Sequence, residues 1–198
     1  RWRHTAAGSG WPARDRHSAQ NEKHRHDPLA CADPGLSAMD PLILFVCSGN
    51  TCRSPMAEAL FRLALRPGAP WRAASAGLAA HAGGRACAEA VQAVAEAGGD
   101  LKGHSSQPVT EALLREAYAV IAMTPAQADQ LIQRFPSVRD RLFLLRAFDP
   151  SSPLHAAVDD PFCGSIADYR RCRDLICEAL PGLLTYLDRN AGETARSP

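Results

Sequence analysis

Leu42-Ile43-Leu44-Phe45-Val46-Cys47-Ser48-Gly49-Asn50-Thr51-Cys52-Arg53-Ser54-Pro55, residues 42–55, is the stretch whose reading decides the fold. Its first five residues are uninterrupted and apolar, the pattern of a strand buried on both faces. Gly49 and Asn50 follow, both tolerant of left-handed backbone angles. Ser54 and Pro55 suit an N-cap and a first helical residue, ahead of Met56-Ala57-Glu58-Ala59-Leu60. Cys47 therefore stands where a strand hands over to a helix N-terminus. Backbone N–H groups of Ser48, Gly49, Asn50, Thr51 and Cys52 turn inward there, which makes a cradle for an anion.

Of the seven cysteines, only Cys47 has an arginine six places on, at Arg53. A thiol at a helix N-terminus beside a guanidinium is stabilised as the thiolate. Arg53 offers the planar pair of donors that fits two phosphate oxygens. Ser54 is placed to donate to the sulfur and to help it leave in a second step. Thiolate, cradle and fixed cation together describe phosphoryl transfer through a cysteinyl-phosphate. The bland alternative, a packed cysteine beside an incidental surface arginine, requires no GNTCRS arrangement.

From that loop outward, strands alternate with helices. Strands are expected over 42–46, 71–75, 117–122 and 141–145. Helices are expected over 55–66, 86–97, 110–116, from Pro125 through Arg134, and from about Ser165 to Asp188. Met56, Leu60 and Leu63 should share the buried face of the first helix. Gly98-Gly99 should end the second, and Thr124-Pro125-Ala126-Gln127 has the form of a capping box. Pro181 should kink or end the last helix. The pattern predicts an α/β fold, a single-domain sandwich with a central four-stranded parallel sheet and helices on both faces. Ligands of such sheets bind beyond the carboxyl ends of the strands, where Cys47 lies.

Size and charge narrow the possibilities. The chain has 198 residues, 46% of them hydrophobic, and a formal net charge of +1. Nothing in that balance favours nucleic acid or a membrane surface, and no apolar run approaches the ~20 residues of a membrane span. Seven unevenly spaced cysteines fit a reducing cytoplasm better than a disulfide framework. Residues 1–38 are polar and aperiodic, and Met39 directly precedes the first strand. The expectation is a disordered leader or upstream translated segment over 1–38, a domain over 39–190, and a disordered tail over 191–198. His4, His17, His24 and His26 are expected to be solvated rather than metal-bound. No metal or organic cofactor is implied.

A reaction that expels a leaving group needs a proton donor. Asp159-Asp160-Pro161-Phe162 offers a carboxyl group beside a second negative charge, which favours the protonated form. Taken alone, the same residues describe an acidic turn.

The stretch Phe45 to Glu58, FVCSGNTCRSPMAE, resembles the phosphate-binding loop of the low-molecular-weight protein tyrosine phosphatases. Ser75-Ala76-Gly77, His104-Ser105-Ser106, Ala122-Met123-Thr124 and Asp160-Pro161-Phe162-Cys163-Gly164-Ser165 match in order. The resemblance spans roughly residues 40 to 190 and is greatest to bacterial protein-arginine phosphatases. It implies a nucleophile at Cys47, phosphate binding by residues 48–54 with Arg53, and a general acid at Asp160, with Asp159 in support. It also implies a network of Asn50, Ser54, Ser75 and His104 that braces the cradle, and Phe162 as a wall of the substrate cleft. Cys52 is implied to form a reversible disulfide with Cys47, a redox-protective role.

For the substrate, the resemblance turns on Thr51, where tyrosine-directed members carry a bulky aliphatic residue and arginine-directed members carry Thr. A polar wall suits a guanidinium. Phe162 is followed by Cys163, which leaves one aromatic wall where tyrosine-directed members often have two. The leading expectation is therefore a phosphatase acting on phosphoarginine in protein substrates, with phosphotyrosine as the alternative. A thiol-dependent arsenate reductase would need two further cysteines close together downstream. Cys172 and Cys177 fall inside the last expected helix, and Cys87 has no near partner in sequence. A non-catalytic phosphate-binding module would be expected to have lost Cys47, Arg53 or Asp160. The sequence leaves the oligomeric state open.

Overall fold

A computed structural model describes residues 40–153 and 155–194. The leader 1–38, with its histidines, Cys31 and Met39, lies outside the described residues. Strand β1 (Leu42–Cys47) is followed by α1 (Arg53–Ala64), β2 (Arg72–Gly77), α2 (Ala88–Glu96) and α3 (Glu111–Glu116). Then come β3 (Ala117–Ala122), α4 (Pro125–Arg134), β4 (Leu142–Leu144) and α5 (Ile166–Thr194). The four strands form one parallel sheet in the order β2-β1-β3-β4.

β1 lies between two strands and has helices on both faces, so all six of its residues are buried. That is why the run from Leu42 to Val46 shows no polar alternation. Ile43, Phe45 and Cys47 face one core with residues of α1, α2 and α5. Leu44 and Val46 face the other, with Leu114 of α3 and Ala128 and Leu131 of α4. Phe45 pairs in register with Ser75 and Ile121 and packs on Phe61. Truncating so central a ring to alanine costs about 3–5 kcal/mol.

Four local expectations are corrected. Helix α1 begins at Arg53 with Cys52 at the N-cap, and no side chain caps it. Ser54 is inside the helix because its hydroxyl is engaged at the sulfur of Cys47 instead. Leu63 is 52% exposed. The buried stripe runs through Met56, Ala57, Leu60 and Phe61, leaving Leu63 about a quarter turn to the side. Strand β2 begins one residue late, yet Trp71 remains buried.

Pro181 does not end α5. Its missing N–H would have bonded the carbonyl of Cys177, and both residues are exposed, so solvent can take that carbonyl. On the opposite face Ile176, Leu180, Leu183 and Leu187 are buried. Burial there outweighs a proline penalty of about 3 kcal/mol. The helix runs on to Thr194, into the segment 191–198 expected as a disordered tail. Elsewhere Thr124 caps its helix and Gly98 closes α2 at φ 89°, as expected, and Thr110 caps α3.

Candidate active site

The phosphate loop, residues 47–53, joins β1 to α1. Its sulfur, Cys47 Sγ, is buried, 3.0 Å from Ser54 Oγ and 3.2 Å from the backbone N–H of Asn50. The Asn50 N–H, the Ser54 hydroxyl and the first turn of α1 thus converge on one sulfur, groups that interact favourably with negative charge there. Asn50 makes this possible by adopting φ 54°, a left-handed angle that asparagine tolerates.

Every polar atom of the Asn50 side chain is used to hold that angle. Nδ2 donates to Ser54 Oγ and to Ser75 Oγ, each at 2.9 Å. Oδ1 accepts the backbone N–H of Gln107 at 2.9 Å. The Asn50 carbonyl accepts from His104 Nε2 at 2.7 Å, which fixes the tautomer protonated at that nitrogen. Ser75 Oγ in turn donates to Glu58 Oε2 at 2.5 Å. The structure therefore brings Asn50, Ser54, Ser75 and His104 into one network.

Gly77 lets this network close up on the loop. A Cβ built there would lie 2.6 Å from the carbonyl oxygen of Ser48 and 2.9 Å from the Asn50 nitrogen. The N–H groups of Leu78 and Ala79 continue the pairing, donating to the carbonyls of Cys47 and Ser48.

Sequence reasoning missed three further members of the site. Glu58 accepts a hydrogen bond from the Ser75 hydroxyl, and Gln107 braces Asn50 and also donates from Nε2 to the Ser75 carbonyl. Gln127 donates to Ser48 Oγ at 3.1 Å while its Oε1 accepts the Met123 N–H. The capping box is thus half formed: Thr124 caps Gln127, but the glutamine reaches the phosphate loop rather than the Thr124 amide.

Arg53 is buried, with Nη1 donating to the Val158 carbonyl at 3.3 Å and Nη2 paired with Asp160 Oδ2. Its Nε is buried with no partner among the described residues. Asp160 is thereby brought to Arg53 from 107 residues along the chain. Asp160 meets a cation directly, where sequence alone had stressed the negative charge of Asp159. Asp159 and Asp160 are both exposed, and Phe162 is 63% exposed. A cavity of about 440 Å³ opens beside them, lined by Asp159, Asp160 and Phe162 and, from α5, by Arg171, Cys172 and Leu175. Ser48 and Gly49 are exposed and Thr51 is half-buried, so the loop opens to solvent on that side.

Cys52 turns away from this opening. Its sulfur lies 3.1 Å from Cys87 Sγ and 3.4 Å from Tyr169 Oη. The expectation that Cys87 has no near partner is corrected here: the start of α2 folds back on the phosphate loop. Cys47 and Cys52 are both free thiols and have separate polar partners in this structure. Burial pushes the Cys52 thiol up to about 12, and the Cys87 sulfur adds to that shift. Cys172 and Cys177 lie within α5, as expected. No group of three or more His, Cys, Asp or Glu residues suited to a metal ion occurs among the described residues.

Residues 42–193 match the family described as low molecular weight phosphotyrosine protein phosphatase. The chain belongs to that family. Within it, this phosphatase-family chain is 42% identical over 149 residues to a protein-arginine-phosphatase of Bacillus subtilis, covering 75% of the chain and 97% of the relative. It is 35% identical over 164 residues to low molecular weight protein-tyrosine phosphatase A of Mycobacterium tuberculosis, covering 80% and 99%. A solved YwlE arginine phosphatase, a mutant with its active-site serine phosphorylated, superposes at TM-score 0.70 with 41% identity, covering 75% and 97%.

Proposed function

We propose that this family member is a cysteine-dependent protein phosphatase that hydrolyses phosphoarginine in proteins. The observation that carries the catalytic reading is the convergence of Ser54 and the Asn50 amide on a buried Cys47 sulfur, with Arg53 alongside. Thr51 and the likeness to a protein-arginine-phosphatase support the guanidine over the phenol.

The phosphoryl group enters the cradle with its oxygens on the loop amides and on Arg53, whose unpartnered Nε gains an acceptor. Arg53 is shared in the resting site, because Asp160 already holds one of its nitrogens. An arriving phosphate competes for that guanidinium. Asp160, released from the ion pair beside that anion, takes up a proton from solvent.

Cys47 then attacks phosphorus. The P–N bond breaks, and Asp160 gives its proton to the departing guanidine. In the second half, Asp160 takes a proton from water as the water oxygen attacks the cysteinyl-phosphate. The S–P bond breaks, phosphate leaves, and Ser54 donates to the sulfur as its charge returns. Six free cysteines among the described residues, and no helix there long and apolar enough to cross a membrane, fit a cytoplasmic setting.

Paired assays with phosphoarginine and phosphotyrosine peptides test the substrate. The expected result is the larger kcat/KM on phosphoarginine. A preference for the tyrosine ester would instead favour the second reading, a protein-tyrosine phosphatase. The exposed ring of Phe162 supports that reading, being free to stack on a phenol.

A further inference from the structure

Behind the phosphate loop, on the side away from its opening, two sulfurs meet that the proposed hydrolysis does not use. Cys52 and Cys87 are 35 residues apart in sequence, yet their sulfurs are 3.1 Å apart. The contact is built into the backbone. The Cys87 N–H donates to the Thr51 carbonyl at 2.9 Å, so the residue before Cys52 is already tied to Cys87. Cys52 is the N-cap residue of α1 and Cys87 that of α2, and neither side chain makes a capping hydrogen bond. Two helix N-termini thus present their positive ends to one pair of sulfurs. Tyr169 holds Cys52 from the other side, 3.4 Å from its sulfur. Cys52 is buried and Cys87 only half-buried, so reagents in solution reach the pair through Cys87.

We propose that Cys52 and Cys87 are a redox-active dithiol that closes to a disulfide across the back of the phosphate loop. The oxidant is a small-molecule disulfide. Cys87 attacks it as the thiolate, forming a mixed disulfide and expelling one small thiolate. Cys52 then loses its proton and attacks the Cys87 sulfur, expelling the second. Two protein thiols are oxidised, the small disulfide is reduced to two thiols, and both protons end on those thiols.

The high protonation range of Cys52, set by burial, makes it a poor first nucleophile and suits it to the second step at contact distance. Tyr169 is positioned to donate to its sulfur as charge develops. Once closed, the bond occupies Cys52 and leaves Cys47 a thiol. Mild oxidation is thereby taken up beside the nucleophile rather than on it.

The test uses the full chain incubated with excess oxidised glutathione. Remaining thiols are blocked with N-ethylmaleimide, and the protein is digested without reduction and mapped by mass. The expected product joins the peptides of Cys52 and Cys87, with Cys47 blocked by maleimide and hydrolysis of p-nitrophenyl phosphate retained. Cys87→Ala and Cys87→Ser, untreated, should hydrolyse that substrate at the wild-type rate. After treatment both should lose the linked peptide, carry the oxidation on Cys47, and lose activity.

A wild-type product joining Cys47 to Cys52 would overturn the proposal. So would Cys52 and Cys87 both remaining blocked by maleimide, or Cys87 variants that keep full activity after treatment. The mass map reads sulfur chemistry alone, so its failure is separable from a failure of the phosphoarginine reading.

Discussion

The two halves of the site are built on opposite plans. The phosphate loop is an interior structure, with Cys47, Asn50, Cys52, Arg53 and Ser54 all buried and Asn50 bonded at each polar side-chain atom. The segment from Asp159 to Gly164 is a surface structure, exposed except at Pro161. It is joined to the loop through the Arg53–Asp160 pair and, just before it, through the Val158 carbonyl, which accepts from Arg53 Nη1. A buried network loses stability when one member is removed, because its partners are stranded without water. Asp160, being exposed, is left in water when its partner is taken. The cradle is therefore pre-assembled to bind, while the acid is held by the cation that the substrate will claim.

The sharpest break of this comparison is Cys47→Ser. Turnover should fall by about 10⁴-fold or more, with the melting temperature little changed. A retained rate would remove the nucleophile from the cradle. Asp160→Asn should lower kcat by about 10²–10³-fold while inorganic phosphate inhibits at least as strongly as before, because Arg53 loses its competitor. Weaker phosphate inhibition would place Asp160 among the binding groups and erase the contrast.

Asn50→Ala should do the reverse and cost stability first, about 2–3 kcal/mol in urea unfolding, against less than about 0.5 kcal/mol for Asp160→Asn. Thr51→Ile should raise the ratio of phosphotyrosine to phosphoarginine kcat/KM by roughly tenfold, with the fold unaffected.

The smallest effect belongs to a pair outside both regions. Arg170 holds the Glu96 carboxyl down at about 2, against an ordinary value of 4.5, with Gln92 and Arg173 assisting. Because the folded value is the lower one, this contribution is complete above pH 4.5 and is lost as pH falls toward 2. Glu96→Gln should flatten the fall in urea midpoint over that window and leave turnover at neutral pH unchanged.

Legibility followed the reach of the contacts. The cradle is contiguous, so a strand, a loop and a helix start could be read together over residues 42–55, and β3 over 117–122 was found without error. Ser54 was placed one role away from its true one because local capping preference competes with a sulfur seven residues earlier. Glu58 carried a signal in the motif itself, a charge one helical turn after Ser54 on a helix whose other face is buried.

Gln107 and Cys87 carried no such signal, since they act across 57 and 35 residues of intervening chain. That Pro181 does not end α5 has a related reason: its penalty is local, whereas the apolar stripe that outweighs it is read only against the sheet.

Gly182 gives that last helix its closest approach to the turn after β4. A Cβ there would fall 1.9 Å from the Phe148 carbonyl oxygen, so α5 rests on bare backbone where it crosses the turn after β4. Roughly 20 Å along the same helix, Tyr169 leans on the sulfur of Cys52. Even one added methyl group at 182 would push α5 off that carbonyl and carry the displacement to the back of the phosphate loop, slowing a reaction that no atom of residue 182 ever meets.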